Sequence, residues 1–172
     1  GASDLPLHLS ELGSVTGAVQ ATAQLAVFLQ NTDSDLHVGS IVSATNNVTL
    51  MSDGAILDGS VDGKTIDLTS AEGSIGTSSH PLTILSLQNG SVSLKNALAS
   101  TGVFLRETSG TLYVHSIETA TNDVVVTVLD GLTAGFDLIS VTRLVGTFNW
   151  CASSAALRSS ASSSSARCSP GW

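Results

Sequence analysis

Apolar and polar residues alternate with a period of two along most of this chain. The alternation is clearest in six short segments: LAVFL (25–29), NVTLM (47–51), TIDLT (65–69), PLTIL (81–85), GVFLR (102–106) and DVVVTV (123–128). Such alternation in segments rich in Val, Ile, Leu and Thr predicts β-strands with one buried and one exposed face. Asn-Asn, Asp-Gly and Asn-Gly dipeptides separate the segments and favour tight corners.

A sequence repeat with a shift of 76 residues organises the chain. Residues 27–48 and 103–124 are identical at 12 of 22 positions. Near the N-terminus, Pro6-Leu7 returns as Pro81-Leu82 at a shift of 75. Identity at a long fixed period is the signature of a repeat architecture. A sandwich of short strands would not produce it.

The repeat and the alternation together predict an all-β fold, a parallel β-helix (β-solenoid). The apolar triplets recur about every 19 residues, with no helical segment between them, so four steps make one 76-residue unit. We therefore predict about seven rungs of roughly 19 residues, within a repeat domain over residues 1–145. Equivalent residues of the two units should lie four rungs apart in one column. This places Phe28 and Phe104 together as stacked core residues, and His37 and Tyr113 in one solvent-facing column.

Composition and charge narrow the functional classes. The 172 residues carry 14 Asp and Glu against 6 Lys and Arg, a net charge of −8. Since Lys and Arg do not cluster, we expect no nucleic-acid partner, because such binding depends on neutralising phosphates. No run of about 18 apolar residues exists, so we expect no membrane insertion. An export signal is also not expected within this sequence.

The C-terminal segment departs from the repeat. From Asp130 the chain no longer matches the first unit, and after Cys151 it becomes Ser-rich and of low complexity. We interpret residues 146–172 as an irregular cap or as a non-native tail. Cys151 and Cys168, the two cysteines of the chain, either form one disulfide in an oxidising compartment or remain free thiols.

Two stretches of the repeat resemble a known family. NVTLMSDGAILDG (47–59) and LTSAEGSIGTSSHPLTI (68–84) are similar to the shaft repeats of large bacterial secreted hemagglutinin-like, or filamentous, adhesins. The resemblance covers about residues 1–130. It implies a right-handed β-helical shaft, a secreted or cell-surface location and an adhesive or spacer role. It implies no activity, because shaft repeats are selected for stacking.

Two Ser-His neighbours are the candidates for nucleophilic hydrolysis, which requires a serine activated by a base. They are Ser79-His80 and His115-Ser116. A second signal would be a cluster of polar residues in one repeat unit that the other unit does not repeat. His115, Glu118 and Glu107 come closest to such a cluster, since they stand where the first unit has Gly39, Val42 and Asn31. The candidate catalytic residues are therefore His115, His80, Ser79 and Glu118.

Carboxylates offer a second kind of site. Stacked rungs bring carboxylates to glycosidase-like separations, for which Asp33 with Asp35, or Asp58 with Asp62, are eligible. Asp53, Asp58 and Asp62 within DGAILDGSVDG are also the candidate calcium ligands. Plain Asp-Gly corners are the competing interpretation, because neither the calcium-roll nor the EF-hand pattern is present. No cofactor is predicted, and the four histidines do not recur as pairs that would hold a metal.

From the sequence we therefore expect a non-catalytic structural or adhesive shaft fragment of a secreted or cell-surface bacterial adhesin-like protein. The partners expected are a glycan or a host or cell-surface protein, together with end-to-end homo-oligomers through uncapped rungs. The alternative is a small β-helical hydrolase, an esterase or glycosidase or another enzyme acting on polysaccharides. It would have a Ser/His or carboxylate site on one solenoid face.

Overall fold

The computed structural model describes residues 7–9, 17–85, 91–109, 111–121, 124–128 and 149–151. Every regular element within these ranges is a β-strand. In chain order the strands are β1 (Leu7–Leu9), β2 (Val19–Ala23), β3 (Val27–Asn31), β4 (Leu36–Ser43), β5 (Asn47–Ser52), β6 (Ile56–Leu57), β7 (Ser60–Asp62), β8 (Thr65–Ser70), β9 (Ser74–Ile75), β10 (Leu82–Leu85), β11 (Ser91–Ala99), β12 (Gly102–Glu107), β13 (Thr111–Val114), β14 (Ile117–Thr119), β15 (Val124–Val128) and β16 (Asn149–Cys151).

The strands form two parallel sheets that the chain visits in turn. The first sheet stacks β1, β3, β5, β8, β11 and β13, with β14 also paired to β11. The second sheet contains β2, β4, β6, β7, β9, β10, β12, β15 and β16. Because the chain crosses repeatedly from one sheet to the other, with one or two successive strands in a sheet at each pass, and all pairings are parallel, it coils as a β-solenoid. The all-β, parallel β-helix prediction is confirmed; the right-handed coil stays a prediction.

The solenoid has fewer and longer rungs than the sequence pattern indicated. In the first sheet, Leu7 pairs with Val27, and the same column continues through Val48, Ile66, Leu94 and Val114. These residues are 20, 21, 18, 28 and 20 positions apart and mark about five turns. The longest turn includes an outward loop at 76–81 between β9 and β10.

Stacked apolar ladders between the two sheets form the core. The column of Val27, Val48, Ile66, Leu94 and Val114 is buried along its whole length, at no more than 3% exposure. Ile41, Val61 and Ile84 form an equally buried column in the second sheet. Each strand contributes alternate residues, as the burial of β3 and β8 shows. The period of two in the sequence is therefore the alternation between core and surface.

The 76-residue repeat carries the chain to the opposite sheet, not back to the same column. Strand β3, in the first sheet, matches β12, in the second, and β4 of the second sheet matches β13 and β14 of the first. Between β3 and β12 the chain crosses from one sheet to the other seven times, so the repeat spans three and a half turns. The expectation of four rungs in one column is wrong. Both sheets need the same alternation followed by a corner, so one motif fits either sheet.

Because of this half-turn offset, the aromatic residues that share a repeat position do not lie on the same sheet. Phe28 and Phe104 lie on different sheets and are half-buried, each between buried neighbours on its strand. They point outward, so their assignment as stacked core residues is wrong. His37 and Tyr113 also lie on opposite sheets, although both face outward as expected.

Serines that point inward at the corners join successive rungs. Ser43 Oγ donates to the Leu25 carbonyl at 2.7 Å, Ser52 Oγ to the Ser34 carbonyl at 2.9 Å, and Ser70 Oγ to the Gly54 carbonyl at 2.7 Å. All three serines are buried. Their hydroxyls satisfy carbonyl groups that the turn from one sheet to the other leaves without a strand partner.

We expect Ser70→Ala to lower the free energy of unfolding by about 1–2 kcal/mol, because a buried carbonyl loses its donor. Ser40→Ala is the matched control, since Ser40 is exposed on β4. It should change stability by less than about 0.5 kcal/mol. Urea unfolding of both variants measures the difference. Equal losses would show that the corner hydrogen bond contributes nothing.

At its C-terminal end the second sheet continues beyond the repeat. Strand β16 pairs in parallel with β15, with Trp150 opposite Val126 and Cys151 opposite Thr127. The segment from Asn149 to Cys151 therefore extends the stack. The remainder of the expected cap or tail, including Cys168 and the proposed disulfide, lies outside the described residues. The domain boundary at residue 145 stays a prediction.

Candidate functional site

A shallow groove lies on the outer face of the second sheet, where the regular stacking of strands is interrupted. It is open to solvent and has a volume of about 330 Å³. We call it the sheet-two groove; its lining residues are Asp58, Gly59, Ser79, His80, Pro81, Thr83 and Arg106. These residues come from three successive rungs, so only the folded solenoid brings them together.

A bulge between β6 and β7 places Asp58 at one end of the groove. Asp58 and Gly59 have φ angles of 61° and 64°, in the left-handed region. A Cβ atom at Gly59 would lie 2.1 Å from the Val38 carbonyl oxygen, so this position requires glycine. Aspartate tolerates the same region better than most residues. The bulge leaves the Asp58 carboxylate exposed, with Oδ2 3.1 Å from Nδ1 of His37 on β4.

The loop at 76–81 forms the middle of the groove. The Thr77 N–H donates to the His80 carbonyl at 3.0 Å, and the His80 N–H donates to Thr77 Oγ1 at 3.0 Å. These two hydrogen bonds close a turn that projects the side chains of Ser79 and His80 outward. Ser79 Oγ lies 3.1 Å from His80 Nδ1, and both residues are exposed.

Strand β12 provides the opposite end of the groove through Arg106. Arg106 pairs with Thr83 across the sheet, and its side chain is exposed. Arg106 is not among the candidates predicted from the sequence. The sequence signal for it is the change from a neutral to a charged residue, because the equivalent position of the first repeat unit is Gln30.

The groove contains the candidates Ser79 and His80, whose side chains contact each other, but the described residues do not form a catalytic triad. Such a site needs a base held by a third group within hydrogen-bond distance. The side chain of Asp58 pairs with His37, and that of His80 contacts Ser79. Within the described ranges no carboxylate is hydrogen-bonded to His80.

His115 and Glu118 lie on the other sheet. His115 is exposed between β13 and β14, and its N–H donates to the Leu94 carbonyl at 2.9 Å. Glu118 on β14 accepts a hydrogen bond from Ser116 Oγ at 3.2 Å. The structure does not bring this pair to His80 and Ser79, because β14 belongs to the first sheet and β10 to the second.

The three calcium candidates are separated by their environments. Asp53 is exposed at a corner, Asp58 pairs with His37, and Asp62 is buried at 2% exposure on β7. Within the described ranges no group of three His, Cys, Asp or Glu side chains could hold a metal ion. In the Asp33–Asp35 pair both residues are exposed, and Asp35 accepts a hydrogen bond from the Ala55 N–H at 2.8 Å and so serves a corner.

Glu107, the third polar residue that the repeat does not share, lies inside the solenoid. It is fully buried, in the column that also contains Ile84 and Val61. Its Oε1 accepts a hydrogen bond from the Ser109 N–H at 2.8 Å. The equivalent Asn31 has the same role at the other sheet, with Oδ1 3.5 Å from the Asp33 N–H. Glu107 therefore belongs to a corner and not to an exposed site.

Comparison with known proteins adds no family assignment. The described part of the chain contains no helix of the length and apolarity that crossing a membrane requires. No family model, curated protein or solved structure matches this chain.

Proposed function

We propose that this chain is a non-catalytic structural segment of a secreted or cell-surface bacterial adhesin-like protein. The observation that carries the proposal is the continuity of the buried ladders. One column of Val, Ile and Leu is buried without a break from Val27 to Val114, through four turns of the first sheet. Each rung supports its neighbours in such a stack, so the chain forms an extended body suited to spacing or presenting other parts.

The adhesin assignment rests on the sequence resemblance of residues 47–59 and 68–84, and on the low number of basic residues. In this proposal the protein acts outside the cell, and its partners are a glycan or a protein of another cell surface.

A hydrolase is the second candidate function. It is favoured by one specific observation, the 3.1 Å separation of Ser79 Oγ and His80 Nδ1 in an open groove. A carboxylate of the substrate, or a group that approaches only when substrate binds, would have to orient the imidazole.

A panel of chromogenic esters, phosphoesters, sulfate esters and glycosides, with and without EDTA, separates the two functions. We expect no turnover above a buffer blank for the wild-type chain. Turnover that His80→Ala abolishes, while the control His115→Ala on the opposite sheet keeps it, would replace the structural proposal by a hydrolase at the groove. Turnover lost only in His115→Ala would instead place the hydrolytic site on the first sheet.

A further inference from the structure

The sheet-two groove contains ionisable side chains where the other repeat copy has neutral ones. Arg106 stands where the first unit has Gln30, and His80 aligns with Leu5 at the shift of 75. His37, which pairs with the groove residue Asp58, stands where the second unit has Tyr113. Stacking alone requires neither Arg106 nor His37, since the described strands β3 and β13 stack with Gln30 and Tyr113 at the equivalent positions. The departures therefore indicate a role at the surface.

Opposite charges lie at the two ends of the groove. Ser60 of β7, directly after the Asp58 bulge, pairs with Thr83 of β10, and Thr83 pairs with Arg106 of β12. Two strand spacings of about 4.8 Å place the backbones of these two ends roughly 10 Å apart. Between them lie the Ser79 and Thr83 hydroxyls, the His80 imidazole and the Pro81 ring.

Each part of this lining matches one part of an acidic sugar. A guanidinium binds a carboxylate through two parallel hydrogen bonds. A carboxylate such as that of Asp58 accepts hydrogen bonds from sugar hydroxyls, and serine and threonine hydroxyls both donate and accept them. The Pro81 ring offers an apolar surface to the C–H face of a pyranose. A dianionic phosphate fits less well, because Asp58 and the net charge of −8 oppose a higher negative charge.

We propose that the sheet-two groove binds a hexuronic acid residue, with the sugar carboxylate on Arg106 and its hydroxyls on Asp58 and Ser79. This inference names the glycan partner of the proposed adhesive function and rests on that function only for its biological setting. If no sugar binds, the sugar-binding proposal is refuted and the proposed structural role is unaffected. If the chain shows hydrolytic turnover, the structural role is refuted and the sugar-binding proposal is unaffected.

Calorimetric titration of the whole chain with D-galacturonic acid tests the proposal. We expect a dissociation constant on the order of 1 mM, in the range of a single small ligand in an open site. D-galactose lacks the carboxylate and should bind at least about tenfold more weakly, because the charge-assisted hydrogen bond is lost. Acetate lacks the ring and should also bind at least about tenfold more weakly, because the hydroxyl contacts are lost.

Two variants locate the site. Arg106→Gln should weaken galacturonate binding at least about tenfold. Lys95→Gln is the matched control, because it removes one positive charge from the first sheet, where Lys95 pairs with Asp67 at 3.6 Å. It should change the affinity by less than about twofold, and circular dichroism should show both variants folded. No binding by the wild-type chain, equal binding of galactose or acetate, or equal effects of the two variants would each overturn the proposal.

Discussion

Gly59→Ala is expected to destabilise the solenoid by more than about 3 kcal/mol, the largest effect that we predict for a single methyl group. Gly59 has a φ angle of 64°, which alone disfavours any residue with a Cβ atom. The new Cβ would lie 2.1 Å from the Val38 carbonyl oxygen and 2.5 Å from that of Gly39. Both atoms are backbone, so the clash cannot be relieved by rotating a side chain, and the adjacent rungs must separate.

The control for this variant is Gly17→Ala. A Cβ atom at Gly17 would meet nothing within 4 Å, and the residue is exposed. Its substitution should change stability by less than about 1 kcal/mol. Urea unfolding monitored by circular dichroism gives both values. A Gly59→Ala variant as stable as the Gly17→Ala variant would show that the bulge between β6 and β7 relaxes without cost.

Leu50→Ala is expected to lower the free energy of unfolding by about 2–5 kcal/mol. Leu50 is fully buried, and its column neighbours Leu29 and Leu68 in the rungs on either side are fully buried as well. Neither neighbour can fill the space without leaving its own position in the ladder. The cost should therefore fall in the upper part of the range, because the cavity cannot collapse.

The control is Thr49→Ala on the same strand. Thr49 is half-buried and points outward, so its truncation opens no cavity, and the loss should stay below about 1 kcal/mol. Thermal unfolding of the pair provides the test, at roughly 3 °C per kcal/mol for a chain of this size. Equal shifts in melting temperature for both variants would contradict the assignment of alternate residues to core and surface.

Much of the fold could be predicted because it depends on local sequence. Period-two alternation determines which residues of β3 and β8 face inward, and recurrence of the pattern requires stacking rungs. The number of rungs could not be predicted, because the outward loop at 76–81 lengthens one turn and the apolar triplets do not reveal it. The half-turn offset between the two repeat units could not be predicted either, because the strands of both sheets have the same alternating sequence pattern. That offset is why Phe28 and Phe104 were wrongly placed in the core.

The candidate site could be predicted only in part. The sequence offers Ser79 and His80 as adjacent candidates, but their side-chain contact depends on the tight turn at 76–81, because neighbouring side chains on a strand point to opposite faces. The combination of His80 with Asp58 and Arg106 could not be predicted, because these residues lie more than twenty positions apart in sequence and meet only when the rungs stack in register. His115 and Glu118 appeared equally suitable in the sequence, and the alternation of the chain between sheets sends them to the other face.

The sequence by itself determined that this chain is an all-β repeat protein that stacks apolar ladders, since periodicity and corner residues act locally and recur along the chain. Only the tertiary structure decided which face each polar residue occupies and which of them share a groove. The physical reason is register: a shift of half a turn leaves every buried contact equally satisfied, yet moves every exposed side chain to the opposite side of the solenoid.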